Sequence, residues 1–302
     1  MFARRHPILF SFLVLCAIGA VVIISVATLF FLGKRDSDFR FGEKVGVVEI
    51  RGVIANPRSI ILQLKKFRKN KNVKAIVLRI NSPGGGVGPS QEIYSEVKKT
   101  TRQKKVVASM GAIAASGGYY VAAASDHIMA NPGTITGSIG VVIEFANMEE
   151  LFKKIGISAH VIKSGDYKDI GSPLRKMTPE ERSLLKGFVD NVHQQFVKAV
   201  AEGRKMSEES IRAIADGRIL SGQQAQELGL LDSLGNMEDA IAMAAKLGGI
   251  KGEPLIVYGE KKRFSVLEFI LGSKLTEALD RITNAALRSG YLYIPGRVVD
   301  NG

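Results

Sequence analysis

The segment Ala75-Ile-Val-Leu-Arg-Ile-Asn-Ser-Pro-Gly-Gly-Gly86 indicates the fold class of this chain of 302 residues. Residues 75–80 form a short apolar run rich in β-branched side chains, which is typical of a buried strand. The run ends at Asn81, glycines follow, and a helix is predicted from about Pro89 to Lys99. Strand, glycine turn and helix in this order predict the first half of a parallel βαβ unit.

The same order of elements recurs on both sides of this segment. A helix is predicted where apolar residues follow one another at spacings of three and four, at Ile60, Ile61, Leu64 and Phe67. Further strands are predicted at Val45–Ile50, Val106–Ser109, His127–Ala130 and Val141–Phe145. Strands that alternate with helices predict an α/β fold with right-handed crossovers and a ligand site where the strands end.

The second half of the sequence is predicted to be mostly helical. Thr178-Pro-Glu-Glu181 is a capping box with proline at the first helical position. Ser221 begins another helix in the same way, and Asn236 is a predicted cap. The helix after Thr178 should bury one apolar stripe, formed by Leu184, Leu185, Phe188, Val192, Phe196 and Val200.

Composition excludes several classes of protein. Hydrophobic residues make up 46% of the chain and charged residues 24%, which excludes a disordered or collagen-like chain. The net charge is +13, and omitting Arg4 and Arg5 leaves +11 on residues 34–302. Such a basic surface suits nucleic acid or anionic lipid. Cys16 is the only cysteine, so disulfides within the chain and metal sites built on cysteine are excluded.

The N-terminus favours lipid. Ile8 to Leu32 is a run of 25 residues without a charge, which is long enough to span a bilayer as a helix. A cleaved signal peptide is the alternative, with Ser25-Val-Ala27 as its site, but that site lies inside the apolar run. Basic residues are more numerous after the run than before it, so the count of lysine and arginine opposes an N-in orientation.

Ser116 is the first candidate for chemistry. It lies in Ala114-Ala-Ser-Gly-Gly-Tyr-Tyr120, where a strand and loop give way to a helix, so its hydroxyl would be exposed in a tight turn. This geometry suits a nucleophile, although a serine among small residues is more commonly a helix cap. The glycines of Ser82-Pro-Gly-Gly-Gly86 could turn backbone N–H groups toward an oxyanion or form a simple turn.

The base for such a serine is left open by the residues alone. The four histidines read as structural residues, with His127 and His160 in predicted strands. Lys168, in Gly165-Asp-Tyr-Lys-Asp-Ile170, is a candidate, because a lysine whose pKa burial lowers can act as a base. Asp166 and Asp169 would oppose that shift if they faced the amine, and surface lysines are common.

Five ordered motifs within residues 45–250 resemble one family. The motifs are NSPGGGV (81–87), ASGGYY (115–120), ANPGTITGSIGV (130–141), SGDYKDIGSPLR (164–175) and ADGRILSGQQAQELGLLD (215–232). Together they resemble signal peptide peptidase A, a family of membrane-anchored Ser-Lys serine proteases. The resemblance implies a Clp/crotonase-like α/β fold of repeated ββα units. This chain has one such domain where longer family members have two, so a complete site must come from one copy or from neighbouring copies.

The resemblance implies a role for each matching residue. Ser116 would be the nucleophile, Lys168 the general base and Ser138 the residue that orients the lysine amine. Gly85 and Gly117 would donate backbone N–H groups to the oxyanion. No metal or cofactor is implied.

The resemblance also implies partners and a location. The substrates would be apolar extended peptides, such as remnant signal peptides, and the partners membrane lipid and further copies in a homo-oligomer, without nucleic acid. The catalytic domain would lie outside the cytoplasm, against the charge count. The predicted organisation is an anchor at 1–33, a charged linker at 34–44, a peptidase domain at 45–250 and a basic, amphipathic helical tail at 251–302.

Two other functions remain open at this stage. A crotonase-like acyl-CoA hydratase or thioesterase would use the same oxyanion geometry with a glutamate base, and Glu92 is the nearest candidate. It is predicted on the exposed face of a helix. A non-catalytic oligomeric membrane scaffold is the second alternative, which would lack an activated serine.

Overall fold

The structure is a computed structural model. It describes residues 8, 15–22, 24–25 and 42–259, and the backbone of residues 289–292. The chain divides into two compact units, residues 1–42 and 43–302. In the first unit, residues 15–22 are helical.

The predicted membrane span, Ile8–Leu32, falls mostly outside the described residues. Within the described part of the chain, no helix is both long and apolar enough to cross a bilayer. The N-terminal anchor therefore stays a prediction. Most of the predicted helical tail at 251–302 also lies outside the described residues, but its described parts, Leu255–Tyr258 and the backbone of Ser289–Leu292, are strands and not helix.

The second unit alternates strands and helices. Its strands are β1 (Lys44–Arg51), β2 (Val73–Ser82), β3 (Gly84–Gly85), β4 (Lys105–Ala114), β5 (His127–Ala130), β6 (Ile135–Gly137), β7 (Val142–Ile143), β8 (Ile219–Ser221), β9 (Ser233–Leu234), β10 (Leu255–Tyr258) and β11 (Ser289–Leu292). Its helices are α1 (Arg58–Lys69), α2 (Val87–Thr101), α3 (Gly117–Ala122), α4 (Glu149–Lys154), α5 (Pro179–Arg204), α6 (Glu208–Arg212), α7 (Gly222–Glu227) and α8 (Met237–Leu247).

The main sheet has the strand order β10-β1-β2-β4-β5-β9. Every neighbouring pair along this order is parallel. Leu78 in the middle of β2 is paired with Val48 of β1 on one side and with Ala108 of β4 on the other. The parallel sheet confirms the predicted α/β class, and the mixed fold is consistent with the Clp protease type.

Both faces of the sheet are covered, which explains the nearly continuous apolar runs of its strands. On one face, Leu64 and Phe67 of α1 and Ile93 of α2 belong to the larger buried cluster. On the other face, Ile241 of α8 belongs to a second cluster with Val47 of β1. Successive strand residues point to opposite faces, so neighbouring positions serve different clusters.

Shorter strands form the layer next to the ends of β2 and β4. The strand β6 pairs with β4 in parallel and with β8 in antiparallel orientation. The strand β11 lies between β3 and β7 and is antiparallel to both. The pairing of β2 with β4 shifts register between Ile80 and Ser82. The chain leaves the main sheet at this point, and the glycine turn begins.

The three predicted helix caps are confirmed. Thr178, Ser221 and Asn236 each accept a hydrogen bond from the helix they precede, and each is part of a complete capping box. These motifs involve residues only three positions apart, so local sequence is enough to specify them.

Two other predictions need correction. The apolar stripe of α5 is only half buried, because its second half packs on α3 whereas its first half projects beyond the core. The ring centroids of Phe196 and Tyr120 are 5.0 Å apart, whereas Leu184 and Phe188 are 51% and 54% exposed. His160 lies in an exposed irregular segment and not in a strand.

Candidate active site

Ser116 occupies a strained turn at the end of β4. It is the N-cap residue of α3, with φ 54° and ψ −121°, a conformation that is costly for a residue with a side chain. Its N–H donates to the Gly137 carbonyl at 2.9 Å, and its carbonyl accepts from the Tyr120 N–H at 2.9 Å. Its hydroxyl makes no capping hydrogen bond. Ser116 is only 1% exposed, so the prediction that this turn exposes it is wrong. The strained backbone between strand and helix is nevertheless that of a nucleophile elbow.

The helix that follows Ser116 is fully buried, so the turn stands on a rigid support. The Tyr119 hydroxyl donates to the Leu230 carbonyl at 2.9 Å, and burial raises the pKa of this phenol. Tyr120 packs between Tyr94 and Phe196, with ring centroids 4.9 and 5.0 Å away. These contacts hold α3, and with it the serine turn, against the core.

Glycine is required in the turn after β2. Gly84 has φ 102°, and a Cβ at position 85 would lie 2.3 Å from the Ile54 carbonyl oxygen. That carbonyl accepts from the Gly86 N–H at 2.8 Å, while the Ile54 N–H donates to the Gly84 carbonyl at 2.8 Å. The glycine turn is therefore fastened to Ile54, and no larger residue fits at Gly85.

The serine turn and the glycine turn lie side by side. The Ala115 N–H donates to the Ser82 carbonyl at 3.1 Å. A Cβ at Gly118 would lie 2.9 Å from the same carbonyl. Gly117 is the first residue of α3, so its N–H has no acceptor within the helix. The predicted nucleophile and the predicted oxyanion donors thus belong to two turns in direct contact.

Ser138 also lies beside the serine turn. It follows Gly137, whose carbonyl accepts from the Ser116 N–H, and its own N–H donates to the Arg218 carbonyl at 2.8 Å. Its φ is 50°, so it too adopts a conformation unusual for a residue with a side chain. The structure therefore places the predicted nucleophile and the predicted orienting serine on adjoining backbone segments.

Lys168 makes no hydrogen bond to these residues. It is exposed in the segment between α4 and α5, and its backbone N–H donates to the Gly165 carbonyl at 3.2 Å. Among the described residues, its side-chain amine has no hydrogen bond or ion pair, whether with Ser116, with Ser138 or with any other group. The roles predicted for the five site residues stay predictions.

A network of charged side chains, which we call the Arg175 clamp, surrounds Lys168 in the sequence. Its members are Lys163, Asp169, Arg175 and Glu181. Arg175 donates from Nε and Nη2 to the two carboxylate oxygens of Asp169, both at 2.8 Å, and from Nη1 to Glu181 at 2.8 Å. Lys163 donates to Asp169 at 2.7 Å. Sequence reasoning considered Asp169 only as an opponent of a neutral lysine and missed this network.

The clamp has clear electrostatic consequences. Hydrogen bonds from Arg175 and then Lys163 hold the pKa of Asp169 well below its usual range. The hydrogen bond from Arg175 lowers the pKa of Glu181 to about 2. In the sequence, Arg175 is six residues from each of the two acids. This spacing alone does not predict a contact, because the segment has no helical or strand pattern.

The other candidate bases, the histidines and Glu92, make no hydrogen bond to Ser116 within the described part of the chain. His127 Nε2 is 2.8 Å from the Ser233 hydroxyl. Glu92 is exposed on α2, as predicted. Within the described residues, no histidine contacts Ser116.

Comparison with known proteins covers both turns. A profile of the Clp protease family matches residues 48–135, and a profile of peptidase family S49 matches residues 98–251. A Synechocystis protein named as a candidate protease is 50% identical over 209 residues, which are 69% of this chain and 76% of that protein. The chain belongs to peptidase family S49.

More distant relatives agree with this S49 assignment. An Enterococcus faecium protein named as a candidate signal peptide peptidase is 36% identical over 249 residues, 78% of this chain and 72% of that protein. Protease 4 of Salmonella typhi is 36% identical over 212 residues, 70% of this chain but 34% of that longer protein. The predicted membership of the signal peptide peptidase A family is confirmed.

The S49 match contains the serine turn, Ser138 and the segment of Lys168, and the Clp match contains the glycine turn and the serine turn. The two profiles thus overlap on Ser116. Membership of a peptidase family favours peptide hydrolysis over the acyl-CoA and scaffold alternatives.

Proposed function

We propose that this S49 peptidase is a serine endopeptidase with a Ser-Lys dyad formed by Ser116 and Lys168. The observation that carries the proposal is the strained Ser116, whose turn touches the glycine turn of Gly85. A nucleophile beside two sources of backbone N–H groups suits acyl transfer, because an oxyanion needs donors next to the attacked carbonyl. The family assignment supports a peptide as the acyl donor.

The reaction then follows in two halves. The Ser116 hydroxyl attacks the peptide carbonyl as Lys168 takes its proton, and the Gly85 and Gly117 N–H groups donate to the oxyanion. The Lys168 ammonium returns the proton to the departing amine, which leaves an ester on Ser116. Water, deprotonated by the same lysine, hydrolyses the ester and frees the carboxylic acid. Ser138 orients the lysine amine.

The proposed substrates are extended apolar peptides, remnant signal peptides among them. Support comes from the backbone of Ser289–Leu292, which pairs in antiparallel orientation with Gly84–Gly85 and with Val142–Ile143. The edge beside the glycine turn therefore has the geometry to hold an extended chain, as in other peptide-binding proteins that add a strand to a sheet. The name of the Enterococcus relative also supports this substrate class.

We further propose a single-pass membrane protein whose catalytic unit lies outside the cytoplasm. The apolar run Ile8–Leu32 supports a membrane anchor. The apolar substrates proposed for the peptidase would be available at the bilayer. The side of the membrane follows from the family resemblance alone.

A homo-oligomer completes the proposal, with Lys168 of one copy serving Ser116 of a neighbouring copy. Within a single chain the Lys168 amine is exposed and makes no contact with Ser116 among the described residues. A neighbouring copy could cover this segment and bring the amine to a serine. Mixing inactive Ser116→Ala protein with inactive Lys168→Ala protein should restore part of the activity. No restoration after subunit exchange would show that both residues must belong to one chain.

The function is tested with a labelled apolar peptide and a fluorophosphonate probe on the full chain in detergent. Ser116→Ala and Lys168→Ala should each abolish cleavage and probe labelling with the fold intact. Lys168→Arg should be equally inactive, since a guanidinium does not lose its proton. Ser138→Ala should reduce the rate less than loss of Lys168.

Two exposed residues provide matched controls. Ser183→Ala on α5 and Lys154→Ala on α4 should retain the wild-type rate. Cleavage by Ser116→Ala would refute the serine mechanism, and a tenth or more of the activity in Lys168→Arg would refute the lysine base.

A further inference from the structure

The segment that carries Lys168 has few apolar contacts to hold it. Every residue from 153 to 168 is exposed, including Ile162, which is fully exposed. A segment without buried apolar side chains opens easily unless other interactions hold it. The Arg175 clamp is the set of interactions found there.

The clamp closes the chain around Lys168 from both sides. On one side, the Lys163 ammonium donates to the Asp166 carbonyl and to the Asp169 carboxylate, both at 2.7 Å. On the other side, Arg175 binds Asp169 with two hydrogen bonds of 2.8 Å. Lys168 lies between these attachments and directly precedes Asp169, so the clamp restricts its backbone.

The clamp also connects this segment to a fixed element. Arg175 donates to both carboxylate oxygens of Glu181, whose side chain is only 3% exposed. Glu181 is in the first turn of α5 and accepts from the Thr178 N–H at 2.9 Å within the capping box. Arg175 is thus a bridge from the loop of Lys168 to the start of a helix of 26 residues.

We propose that Arg175, with Asp169 and Glu181, is a positioning device for the base Lys168. This inference rests on the proposed function. Proton transfer requires the amine within hydrogen-bond reach of the serine hydroxyl, and a misplacement of about 1 Å can cost roughly a hundredfold in rate. A planar guanidinium that binds two carboxylates fixes direction as well as distance, which an ammonium group does not.

The test compares Arg175→Ala and Arg175→Lys with Arg182→Ala in the full chain. Arg182 is exposed near the start of the same helix, so its loss is the matched control for charge. We expect Arg175→Ala to slow fluorophosphonate labelling of Ser116 by about tenfold or more, with KM for the peptide changed less than about twofold. Arg175→Lys should recover part of the rate, and Arg182→Ala should match the wild type.

Rescue by the conservative variant separates positioning from simple stability. Arg175→Lys keeps the positive charge but not the planar guanidinium, so it should recover part of the labelling rate that Arg175→Ala loses, with thermal unfolding of both variants measured alongside. A wild-type labelling rate in Arg175→Ala would overturn the inference. So would a labelling rate that falls only in proportion to a loss of folded protein.

Two further results keep the interpretation unambiguous. If Arg175→Ala does not fold, Asp169→Asn carries the test, with the same slower labelling expected, and Arg175→Lys should label at a rate between that of Asp169→Asn and that of the wild type. Ser116→Ala is run in parallel, and labelling of that variant would refute the proposed function itself. Loss of labelling in Ser116→Ala together with normal behaviour of the clamp variants would refute the clamp alone.

Discussion

At the scale of single residues, Gly85 is the most constrained position in the candidate site. A Cβ there would lie 2.3 Å from a backbone oxygen that cannot turn away. We expect Gly85→Ala to destabilise the protein by about 1–3 kcal/mol, because backbone must shift to accept the methyl group. Peptide cleavage should also slow, because the shift displaces the Gly85 N–H from the oxyanion. Urea unfolding measures the loss of stability, and a peptide assay measures the loss of cleavage.

Gly88→Ala is the control for this substitution. A Cβ at Gly88 would meet nothing within 4 Å, and the residue lies near the start of α2. This variant should keep its activity and gain slightly in stability, since alanine favours a helix. Equal stability and activity in both variants would mean that the glycine turn adapts more easily than its geometry indicates.

Ser116 gives the second prediction at this scale. Its φ of 54° with ψ −121° favours glycine over any residue with a Cβ. Ser116→Gly should therefore be more stable than Ser116→Ala by about 1 kcal/mol, although both are inactive. Chemical unfolding of the two variants measures the difference, and a more stable alanine variant would show that the turn is unstrained.

At the scale of elements, the clamp should make the α4–α5 segment sensitive to acid. The folded pKa of Glu181 is lowered to about 2, below the unfolded value of about 4.3. The carboxylate therefore adds stability that is complete above about pH 5 and is lost as the pH falls toward 2. Asp169 acts in the same direction, because its pKa is also lowered.

Glu181→Gln isolates this charge, since glutamine can still cap the helix. The variant should be less stable than the wild type at pH 7, and the difference should shrink steadily between about pH 5 and pH 2. Thermal unfolding at a series of pH values measures it. A difference that is constant across this range would show that the Arg175–Glu181 pair does not stabilise the fold.

At the scale of the whole molecule, substitutions in the exposed and buried halves of α5 should have different effects on the stability of the single chain. Leu184 and Phe188 are 51% and 54% exposed, while Phe196 on the same helix is fully buried. A double Leu184→Ser, Phe188→Ser variant should change the free energy of unfolding of the single chain by only about 0.5 kcal/mol. Phe196→Ala should cost about 3–5 kcal/mol.

The same double variant should lower the mass measured by light scattering in detergent, if this face meets another copy in the proposed oligomer. Exposed apolar patches of this kind mark contact surfaces. A wild-type mass together with normal cleavage would remove α5 from the interface between copies.

Local patterns in the chain were sufficient for the α/β class and the three helix caps. The strand Ala75–Ile80 and the capping box of Thr178 each depend on neighbours within a few residues, and both form as predicted. The motifs around Ser116 and Lys168 identified the family, because sequence motifs carry that resemblance directly.

Contacts between distant segments could not be predicted from such patterns. The serine turn meets the glycine turn through Ala115, which follows β4, and Ser82, the last residue of β2. Burial ends midway along α5 because the core ends there, although the apolar stripe continues to Leu184. Arg175 joins Asp169 and Glu181 through a non-repetitive loop, whose path follows from three-dimensional packing and not from any period in the sequence.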